Sequence, residues 1–383
     1  MQIALYTDSF FPELGGIQDS VATLARELGR RGHRVLVIAP AAATGDFAVA
    51  GLAPAELDLG PRVAIARGPA LPLPGSTGQS RLFVPTPPTW RAIAGFRPDV
   101  VHLHTFLSAG WTGARHAALL GVPLIGTNHW AVDAFGDYAP ARLAAPALRA
   151  GSRLVNRFYR RCRIVTTPSR ATARQMRRAG FAGELRVISN PIDTLRFSPH
   201  LAPPAADHHV VYAGRLAIEK KIDVLIDAFA RVAATRPRIT LTIAGHGNDR
   251  ARLLARAAAS PAADRIRFVA TLDHDALAAL LRSATVFATA STSETQCMAL
   301  LQAMACAVPA VVVASRALPE VVGAAAGLIA KPDDTADFAA QLAQLVDDAS
   351  LHRRLAAGAL ARARASAVAR VIERWEALYA GVI

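Results

Sequence analysis

The chain alternates short β-branched runs with amphipathic stretches of ten to fifteen residues, and this alternation repeats along both halves of its 383 residues. The pattern is typical of parallel sheets wrapped by helices. The predicted strands are QIALYT, HRVLVIAP, DVVHLHT, VPLIGTNH and CRIVTTPS in the first half, and VVYAGR, RITLTIAG, RIRFVA, VFATAS and AVVVAS in the second. We therefore predict an α/β protein built from two Rossmann-like domains.

A proline-rich segment separates the two halves. RFSPHLAPPAADHH, residues 196–209, carries Pro199, Pro203 and Pro204 among histidines and small residues, which is typical of a linker. The predicted domains span residues 1–195 and 207–365. A chain of this length can bury a separate core in each of them.

The end of the chain is predicted to be helical throughout from Leu351 to Leu378, with Trp375 and Tyr379 among its apolar positions. No apolar run approaches the roughly 18 residues that a membrane span requires. The first residues, MQIALYTDSFFPELGG, contain acidic side chains and lack a basic leader region, so we predict a first strand rather than a secretory signal. Three cysteines without metal-ligand spacing favour a reducing compartment, and we expect the protein in the cytoplasm.

Positive charge is concentrated in one segment. The formal net charge is +14, and the 42 residues from Arg142 to Gly183 contain eleven arginines and no acidic residue. Four of these arginines recur at helical spacing beside apolar positions: Arg149, Arg153, Arg157 and Arg160. Such a basic amphipathic face is attracted to anionic lipid headgroups, so we predict contact with the membrane surface through these four residues. The alternative is an ordinary solvated helix face. We expect no nucleic acid partner, because no nucleic-acid-binding motif is present and aromatic residues are only 6%.

Residues 291–309, STSETQCMALLQAMACAVP, place an acidic turn directly before a short apolar helix that a proline ends. A helix that begins here directs its free N–H groups and the positive end of its dipole toward the surroundings of Glu294. The segment therefore predicts an anion-binding site. The alternative is a buried helix capped by serine and threonine. Gln302 follows Glu294 by eight residues, about 12 Å along a helix.

This segment resembles the Glu-x7-Glu signature of family 4 glycosyltransferases, with Gln302 in place of the second glutamate. The resemblance implies that Glu294 is catalytic. It also implies that one of the two positions, 294 and 302, faces the sugar and the other faces the nucleoside. It further implies donor-binding roles for Thr295, Gln296, Cys297, Met298 and Gln302. An amide at position 302 keeps an acceptor oxygen but loses the charge, which weakens donor binding by about 1 kcal/mol.

A second stretch, AGRLAIEKKIDVLIDAF, resembles the G-R-x-x-x-E-K-G motif of the same family. The resemblance implies that Arg215 and Lys220 clamp the donor diphosphate, the arginine as a planar fork and the lysine as a point charge. Lys221 stands where the family has glycine, so the turn there is expected to differ. Gly245 and Gly247 match the family's Gly-x-Gly loop near the nucleoside; the alternative is a simple turn after a strand.

Two further motifs lie in the first half of the chain. Gly15 and Gly16 precede a predicted helix, where the resemblance implies close approach of the backbone to the donor, and the alternative is a left-handed turn. In GTNHWAVDAFGDY, the resemblance implies that His129 reaches the transferred sugar as a neutral imidazole. The neighbouring DVVHLHT offers His102 and His104, one of which is expected to point into the sheet.

Together these motifs imply the GT-B architecture, with two domains that face each other across a cleft. The N-terminal domain is then expected to bind the acceptor, the second domain the nucleotide sugar, and residues 366–383 to form a helix that returns to the first domain. The chemistry implied is a retaining hexosyl transfer that requires no metal and no cofactor. Asp273 and Asp275 form the only Asp-x-Asp, which we interpret as a helix N-cap rather than a metal site.

The segments ETQ and TNHW, with the basic face, look most like the branch that glucosylates diacylglycerol. We therefore expect transfer from a nucleotide sugar, with UDP-glucose favoured and GDP-mannose possible, to a lipid or lipid-linked glycan acceptor. The reaction is expected at the cytoplasmic face of the membrane. The alternatives are a polysaccharide or lipopolysaccharide glycosyltransferase, and a non-catalytic paralogue that binds nucleotide sugars because of Gln302.

Overall fold

The computed structural model describes residues 1–13, 15–50, 53–72, 81–130, 141–199 and 207–383. The chain forms two compact units. The first unit comprises Met1–Pro191 together with Val368–Ile383, and the second unit comprises Ile192–Ala367.

The first unit is built on a seven-stranded sheet in the order β3-β2-β1-β6-β7-β8-β9, in which the described pairings are all parallel. Its strands are β1 Gln2–Tyr6, β2 Arg34–Pro40, β3 Val63–Gly68, β6 Val100–Leu103, β7 Leu124–Thr127, β8 Ile164–Thr167 and β9 Leu185–Val187. Two three-residue strands, β4 Ala70–Pro72 and β5 Arg81–Phe83, form a separate antiparallel pair. Ile3 lies in register with Val35 on one side and Val100 on the other, which places β1 in the middle of the sheet.

Helices cover both faces of this sheet, as an all-parallel sheet requires. They are α1 Gly16–Arg30, α2 Thr44–Ala50, α3 Pro87–Phe96, α4 Ser108–Leu120, α5 Ala141–Tyr159 and α6 Arg170–Arg178. Leu24 and Leu28 of α1 pack into the core on one face, and Phe158 and Tyr159 of α5 pack into the core on the other. Ser169 is the N-cap of α6, and its hydroxyl accepts a hydrogen bond from the backbone N–H of Thr172 at 3.1 Å.

The second unit contains a six-stranded parallel sheet in the order β12-β11-β10-β13-β14-β15. Its strands are β10 His208–Ala213, β11 Ile239–Ala244, β12 Ile266–Val269, β13 Val286–Thr289, β14 Ala310–Val313 and β15 Gly327–Ala330. Its helices are α7 Ile222–Ala233, α8 Arg250–Ala258, α9 His274–Arg282, α10 Met298–Ala305, α11 Leu318–Val322, α12 Thr335–Asp347 and α13 Ala349–Ala363.

Helix α7 shows why the sequence folds this way. Ile222, Leu225, Ile226 and Phe229 follow the i, i+3, i+4, i+7 spacing of a single helix face, and all four side chains are buried in the core of the second unit. Burying each such side chain contributes roughly 1.5–3 kcal/mol. The interpretation of Asp273 as an N-cap is confirmed, since its carboxylate accepts a hydrogen bond from the backbone N–H of Ala276 at 2.8 Å and α9 begins at the next residue.

The C-terminal segment differs from the sequence prediction, because it is not one continuous helix. A single turn of 3-10 helix, Arg364–Ser366, separates α13 from the last helix, α14 Val368–Ala380. The Ser366 carbonyl accepts a hydrogen bond from the backbone N–H of Ile192 at 2.7 Å, and Ile192 and Ala367 form a parallel bridge. The helix therefore stops where the backbone pairs with the first residue of the second unit.

Helix α14 belongs to the first unit. Trp375 and Tyr379 are buried in the core beside α1, and the Tyr379 hydroxyl lies 2.7 Å from Nδ1 of His102 in β6. Ile192, within the predicted first domain, and Phe197, within the predicted linker, are both buried in the core of the second unit, and residues 200–206 lie outside the described residues.

Candidate functional site

The strand order of the second sheet locates its most favourable ligand site. Strand β10 lies between β11 and β13, so the chain leaves β10 toward one side and later returns to the other. In parallel α/β sheets, ligands bind beyond the carboxyl ends of the strands where the connection reverses in this way. The loops that follow β10 and β13, residues 214–221 and 290–297, leave the sheet at this position. They carry Arg215, Lys220 and Glu294.

Lys220 and Glu294 form a close ion pair at this edge. Lys220 Nζ donates a hydrogen bond to Glu294 Oε1 at 2.6 Å, and the two side chains are only 12% and 14% exposed. Burial alone would raise the pKa of the Glu294 carboxyl, but the charge and hydrogen bond of Lys220, with the hydrogen bond of Ser291 and the charge of Arg215, together lower that pKa below its ordinary value. Glu294 is therefore ionised at neutral pH.

Arg215 is held by a residue to which the sequence analysis gave no role. Arg215 Nη2 donates to Glu219 Oε1 at 2.7 Å; the Glu219 side chain is 2% exposed, whereas that of Arg215 is 52% exposed. The Glu219 carbonyl also accepts a hydrogen bond from the backbone N–H of Thr292 at 3.1 Å. Glu219 thus fixes the loop after β10 against the loop after β13. The sequence signal that could have indicated this role was the position of Glu219 beside Lys220 in the E-K pair of the motif.

The far side of the loop after β13 is also anchored. The hydroxyl of Ser315 donates to the Thr292 carbonyl at 3.2 Å, and the guanidinium of Arg316 donates to the same oxygen. Arg316 adopts a left-handed backbone conformation, with φ of 48°. Such conformations cost non-glycine residues about 1–3 kcal/mol and cluster at functional sites. Arg316 is therefore a third cation fixed beside this loop.

Two glycines make a close approach of the neighbouring loops possible. A Cβ atom on Gly245 would lie 1.9 Å from the Gly214 carbonyl oxygen, and Gly245 has a φ of 145°. A Cβ atom on Gly247 would lie 2.1 Å from the Leu216 carbonyl oxygen. No other residue fits at either position without moving the backbone. The loop after β11 is therefore pressed against the loop that carries Arg215, and contact of these glycines with a nucleoside stays a prediction.

Lys221 takes a glycine-like conformation although it is not glycine. Its φ and ψ are 50° and 41°, in the left-handed region. This region costs a non-glycine residue about 1–2 kcal/mol. Lys221 Nζ lies 2.9 Å from Asp333 Oδ1. The turn that precedes α7 thus keeps the geometry a glycine would give it.

Helix α10 begins later than the sequence suggested. Its first residue is Met298, and Cys297 before it has a φ of 68°. Glu294 therefore lies in the preceding loop, so the eight-residue spacing to Gln302 is only half helical and the 12 Å estimate does not apply. Gln302 is buried on the last turns of α10. Burial raises the pKa of the Cys297 thiol, which is protonated at neutral pH.

The first sheet has the same kind of reversal, with β1 between β2 and β6. Asp8, just beyond β1, is buried; its carboxylate accepts hydrogen bonds from the Thr105 and Ser108 hydroxyls at 2.6 and 2.8 Å and from the Ala109 N–H at 2.9 Å. Asp8 therefore caps α4. Gly15 is extended, with φ of 170°, so the left-handed turn considered for it is wrong, and α1 begins at Gly16.

Three histidines lie buried together beside the carboxyl ends of β6 and β7. His129 Nε2 lies 3.2 Å from His104 Nδ1, and the His102 and His104 rings lie 4.0 Å apart. Burial lowers the pKa of all three, that of His129 to about 4. His129 is therefore a neutral imidazole at pH 7. His102 lies within β6 and His104 directly follows it, and both side chains are buried.

Comparison with known proteins gives this geometry a context. The family models for Glycosyltransferase Family 4 and for Glycosyl transferases group 1 match residues 14–196 and 196–362. A GDP-mannose-dependent alpha-mannosyltransferase of Mycobacterium tuberculosis is 31% identical over 81% of this chain and 78% of its own length. The chain belongs to glycosyltransferase family 4.

An alpha-monoglucosyldiacylglycerol synthase of Acholeplasma laidlawii is 25% identical to this glycosyltransferase over 82% of the chain and 80% of the synthase. Among solved structures, sucrose-phosphate synthase from Thermosynechococcus elongatus superposes with a TM-score of 0.82 at 22% identity, covering 99% of this chain and 98% of that one. This similarity confirms the predicted GT-B fold.

The predicted membrane face of the glycosyltransferase is exposed. Arg149, Arg153 and Arg157 lie on α5 and Arg160 lies one residue past its end; all four side chains are exposed, and no described acidic residue pairs with them. Within the described ranges, no helix is long and apolar enough to span a bilayer. In the same part of the chain, no group of three or more His, Cys, Asp or Glu residues is arranged to hold a metal ion.

Proposed function

We propose that this glycosyltransferase is a retaining, metal-independent hexosyltransferase that moves a hexose from a nucleotide sugar to a lipid or lipid-linked acceptor at the cytoplasmic face of the membrane. The observation that carries the proposal is the cluster of Arg215, Lys220 and Glu294 at the reversal point of the second sheet.

In the proposed reaction, Arg215 and Lys220 stabilise the negative charge that develops on the donor diphosphate as the sugar leaves. The N-terminus of α10 adds the positive end of its dipole. Preorganised charges of this kind act without reorganisation, and removing one donor in comparable sites costs about 3 kcal/mol of transition-state stabilisation. They supply the charge that a divalent cation would otherwise supply. Glu294, ionised by Lys220, can accept hydrogen bonds from sugar hydroxyls.

The stereochemical part of the proposal follows from the carboxylates of this cluster. Double displacement requires a second carboxylate as nucleophile. The nearest candidate on the described loops is Glu219, which is buried and occupied by Arg215. We therefore propose that the bond from the anomeric carbon to the phosphate oxygen breaks while the acceptor oxygen bonds on the same face, and that the leaving phosphate takes the acceptor's proton. His129 is proposed as a neutral hydrogen-bond partner of the transferred sugar.

The acceptor part rests on two features. The exposed arginines of α5 suit an anionic bilayer surface, and one relative is named as a synthase of a glucosyl diacylglycerol. The name of the Mycobacterium tuberculosis relative includes GDP-mannose, so that donor stands beside UDP-glucose in the proposal.

The deciding experiment incubates purified protein with UDP-glucose or GDP-mannose and a membrane lipid extract, with and without EDTA. We expect a new glycolipid by mass spectrometry, an unchanged anomeric configuration by NMR, and no effect of EDTA. Arg215→Ala should lower kcat/KM about a hundredfold, whereas Arg231→Ala, an exposed arginine of α7, should not. A product confined to the water-soluble fraction would favour the polysaccharide alternative. Donor binding without turnover in any arm would favour the non-catalytic alternative.

A further inference from the structure

A groove of about 990 Å³ opens on the surface of the first unit, and its lining includes Arg160 of the predicted membrane face. It is lined by α4, by the turn that joins α5 to β8, by one residue of α3, and by Pro85, Val122 and Leu124. The residues that matter for the argument are two tryptophans and four arginines: Trp90, Trp111, Arg115, Arg160, Arg161 and Arg163. We call this the α4 groove.

The α4 groove reaches the opposite edge of the sheet from the histidine cluster. Its lining includes Leu124, the first residue of β7, and Arg163, which immediately precedes β8. His129 follows the carboxyl end of β7 instead. A four-residue strand spans about 13 Å, so the two positions are separated by the length of the sheet. The groove is thus distinct from the edge at which parallel sheets bind reacting ligands.

The charge of the α4 groove selects an anion. No acidic side chain lines it, and no described acidic residue forms an ion pair with any of its four arginines. The Arg161 guanidinium lies 4.4 Å from the centre of the Trp111 ring, and that of Arg115 lies 6.0 Å from the Trp90 ring. Such contacts orient a planar guanidinium while leaving most N–H donors available. A guanidinium fork matches the oxygens of a phosphate.

Exposed apolar side chains lie on α4, which lines the groove, and on α5, which leads into the turn that lines it. Trp111 is 43% exposed, and Leu119, two turns further along the same face of α4, is 67% exposed. Leu154 on α5 is 57% exposed and lies one turn before Phe158, which packs against Trp111 at 5.2 Å between ring centres. Tryptophan with arginine at the boundary of apolar and polar surface is typical of proteins that sit at a membrane interface.

We infer that the α4 groove binds the headgroup phosphate of an anionic phospholipid, with Trp111, Leu119 and Leu154 in contact with the acyl region. The inference rests on the membrane location in the proposed function, and it adds a specific site and a second helix to the predicted contact through α5. The bound phospholipid is not the acceptor. It anchors the first unit on the bilayer.

Vesicle binding with tryptophan quenching tests the inference. The probes are vesicles of phosphatidylglycerol and of phosphatidylcholine, each with brominated acyl chains, which quench tryptophans that touch them. We expect quenching only with phosphatidylglycerol and its loss in Trp111→Phe. Arg115→Gln with Arg161→Gln should weaken vesicle binding about 25-fold, at roughly fivefold per charge. Arg353→Gln with Arg354→Gln, which removes the same charge from exposed positions of α13, is the matched control.

Equal loss of binding in both double variants, or unchanged quenching in Trp111→Phe, would overturn the inference. Binding of inorganic phosphate to the groove without any binding of vesicles would also overturn the inference, since it would identify a soluble anion as the occupant. The proposed function fails separately, because it depends on the glycolipid product. Quenching through Trp111 without any glycolipid product would support the phospholipid site in the groove and reject the lipid acceptor. Glycolipid formation with equal loss of vesicle binding in both double variants would support the lipid acceptor and reject the phospholipid site.

Discussion

Replacing Lys220 with methionine tests the cluster most directly. The change removes the partner 2.6 Å from Glu294 and leaves a mostly buried carboxylate without its counter-charge. Breaking a buried pair by removing one member costs about 3–5 kcal/mol, and we expect about 3 kcal/mol here because each side chain keeps some solvent contact. If Lys220 also stabilises the leaving diphosphate, the variant should lose about 3 kcal/mol of transition-state stabilisation, which lowers kcat/KM roughly 150-fold.

The pH dependence of this loss has a defined sign. The pKa of Glu294 is lower in the folded than in the unfolded protein, so the stabilisation is complete above the ordinary carboxyl pKa of 4.5 and is lost as the pH falls through the folded value. The difference in unfolding free energy between wild type and Lys220→Met should therefore be largest near pH 7 and shrink below about pH 4. Chemical unfolding monitored at several pH values measures it.

Two variants separate stability from catalysis. Adding Glu294→Gln to Lys220→Met removes the orphaned charge, so the double variant should regain most of the unfolding free energy while kcat/KM stays low. Lys331→Met removes an exposed lysine from the same unit and should change neither quantity. If Lys220→Met and Lys331→Met had the same unfolding free energy and the same kcat/KM, the assignment of Lys220 to the site would be refuted.

Four further outcomes are expected. Gln302→Glu should leave the fold intact and hold or tighten nucleotide binding by up to about tenfold in calorimetry, whereas Glu294→Ala should abolish most turnover; equal small effects would contradict the site. Gly245→Ala should destabilise the second unit by at least about 2 kcal/mol in thermal unfolding, because its Cβ would meet the Gly214 carbonyl. Because the pKa of His129 is about 4 in the folded protein, its contribution to stability should fall by roughly 3 kcal/mol between pH 6.5 and pH 4, and His129→Gln should reduce the slope to the part that comes from His102 and His104. Replacing the four exposed arginines at α5 with glutamine should weaken binding to anionic vesicles at low salt, with donor hydrolysis unchanged; identical sedimentation before and after would show a merely solvated face.

The strands with distinctive apolar runs were predicted well from the sequence. All ten runs predicted as strands contain strands, and two of these, β7 and β13, lead into the loops that carry His129 and Glu294. The strands that were missed are β3, β4, β5, β9 and β15. Three of these have only three residues, and β3 and β15 each include a glycine at one end, so their local signal is weak and their pairing partners decide their structure.

The motifs indicated the residues of the candidate site one by one, but not the contacts among them. Motif spacing indicated Arg215, Lys220 and Glu294, yet it did not show that Lys220 and Glu294 are paired or that Glu219 holds Arg215. Such contacts depend on which loops the sheet order brings together, and this order is not visible in the spacing of a single motif. The start of α10 was placed too early for a similar reason: Cys297 adopts a left-handed conformation that its residue type does not favour.

The return of α14 to the first unit makes the second unit an insertion within the chain of the first. The insertion begins at Ile192 and ends at Ala367, and these two residues are bridged to each other. Its two ends are therefore neighbours, and in this arrangement a domain can be inserted, removed or exchanged without disrupting the fold of the domain that contains it. A premature stop near position 367 would leave the inserted unit complete and deprive the host unit of Trp375 and Tyr379, so truncation at the C-terminus damages the domain that begins the chain.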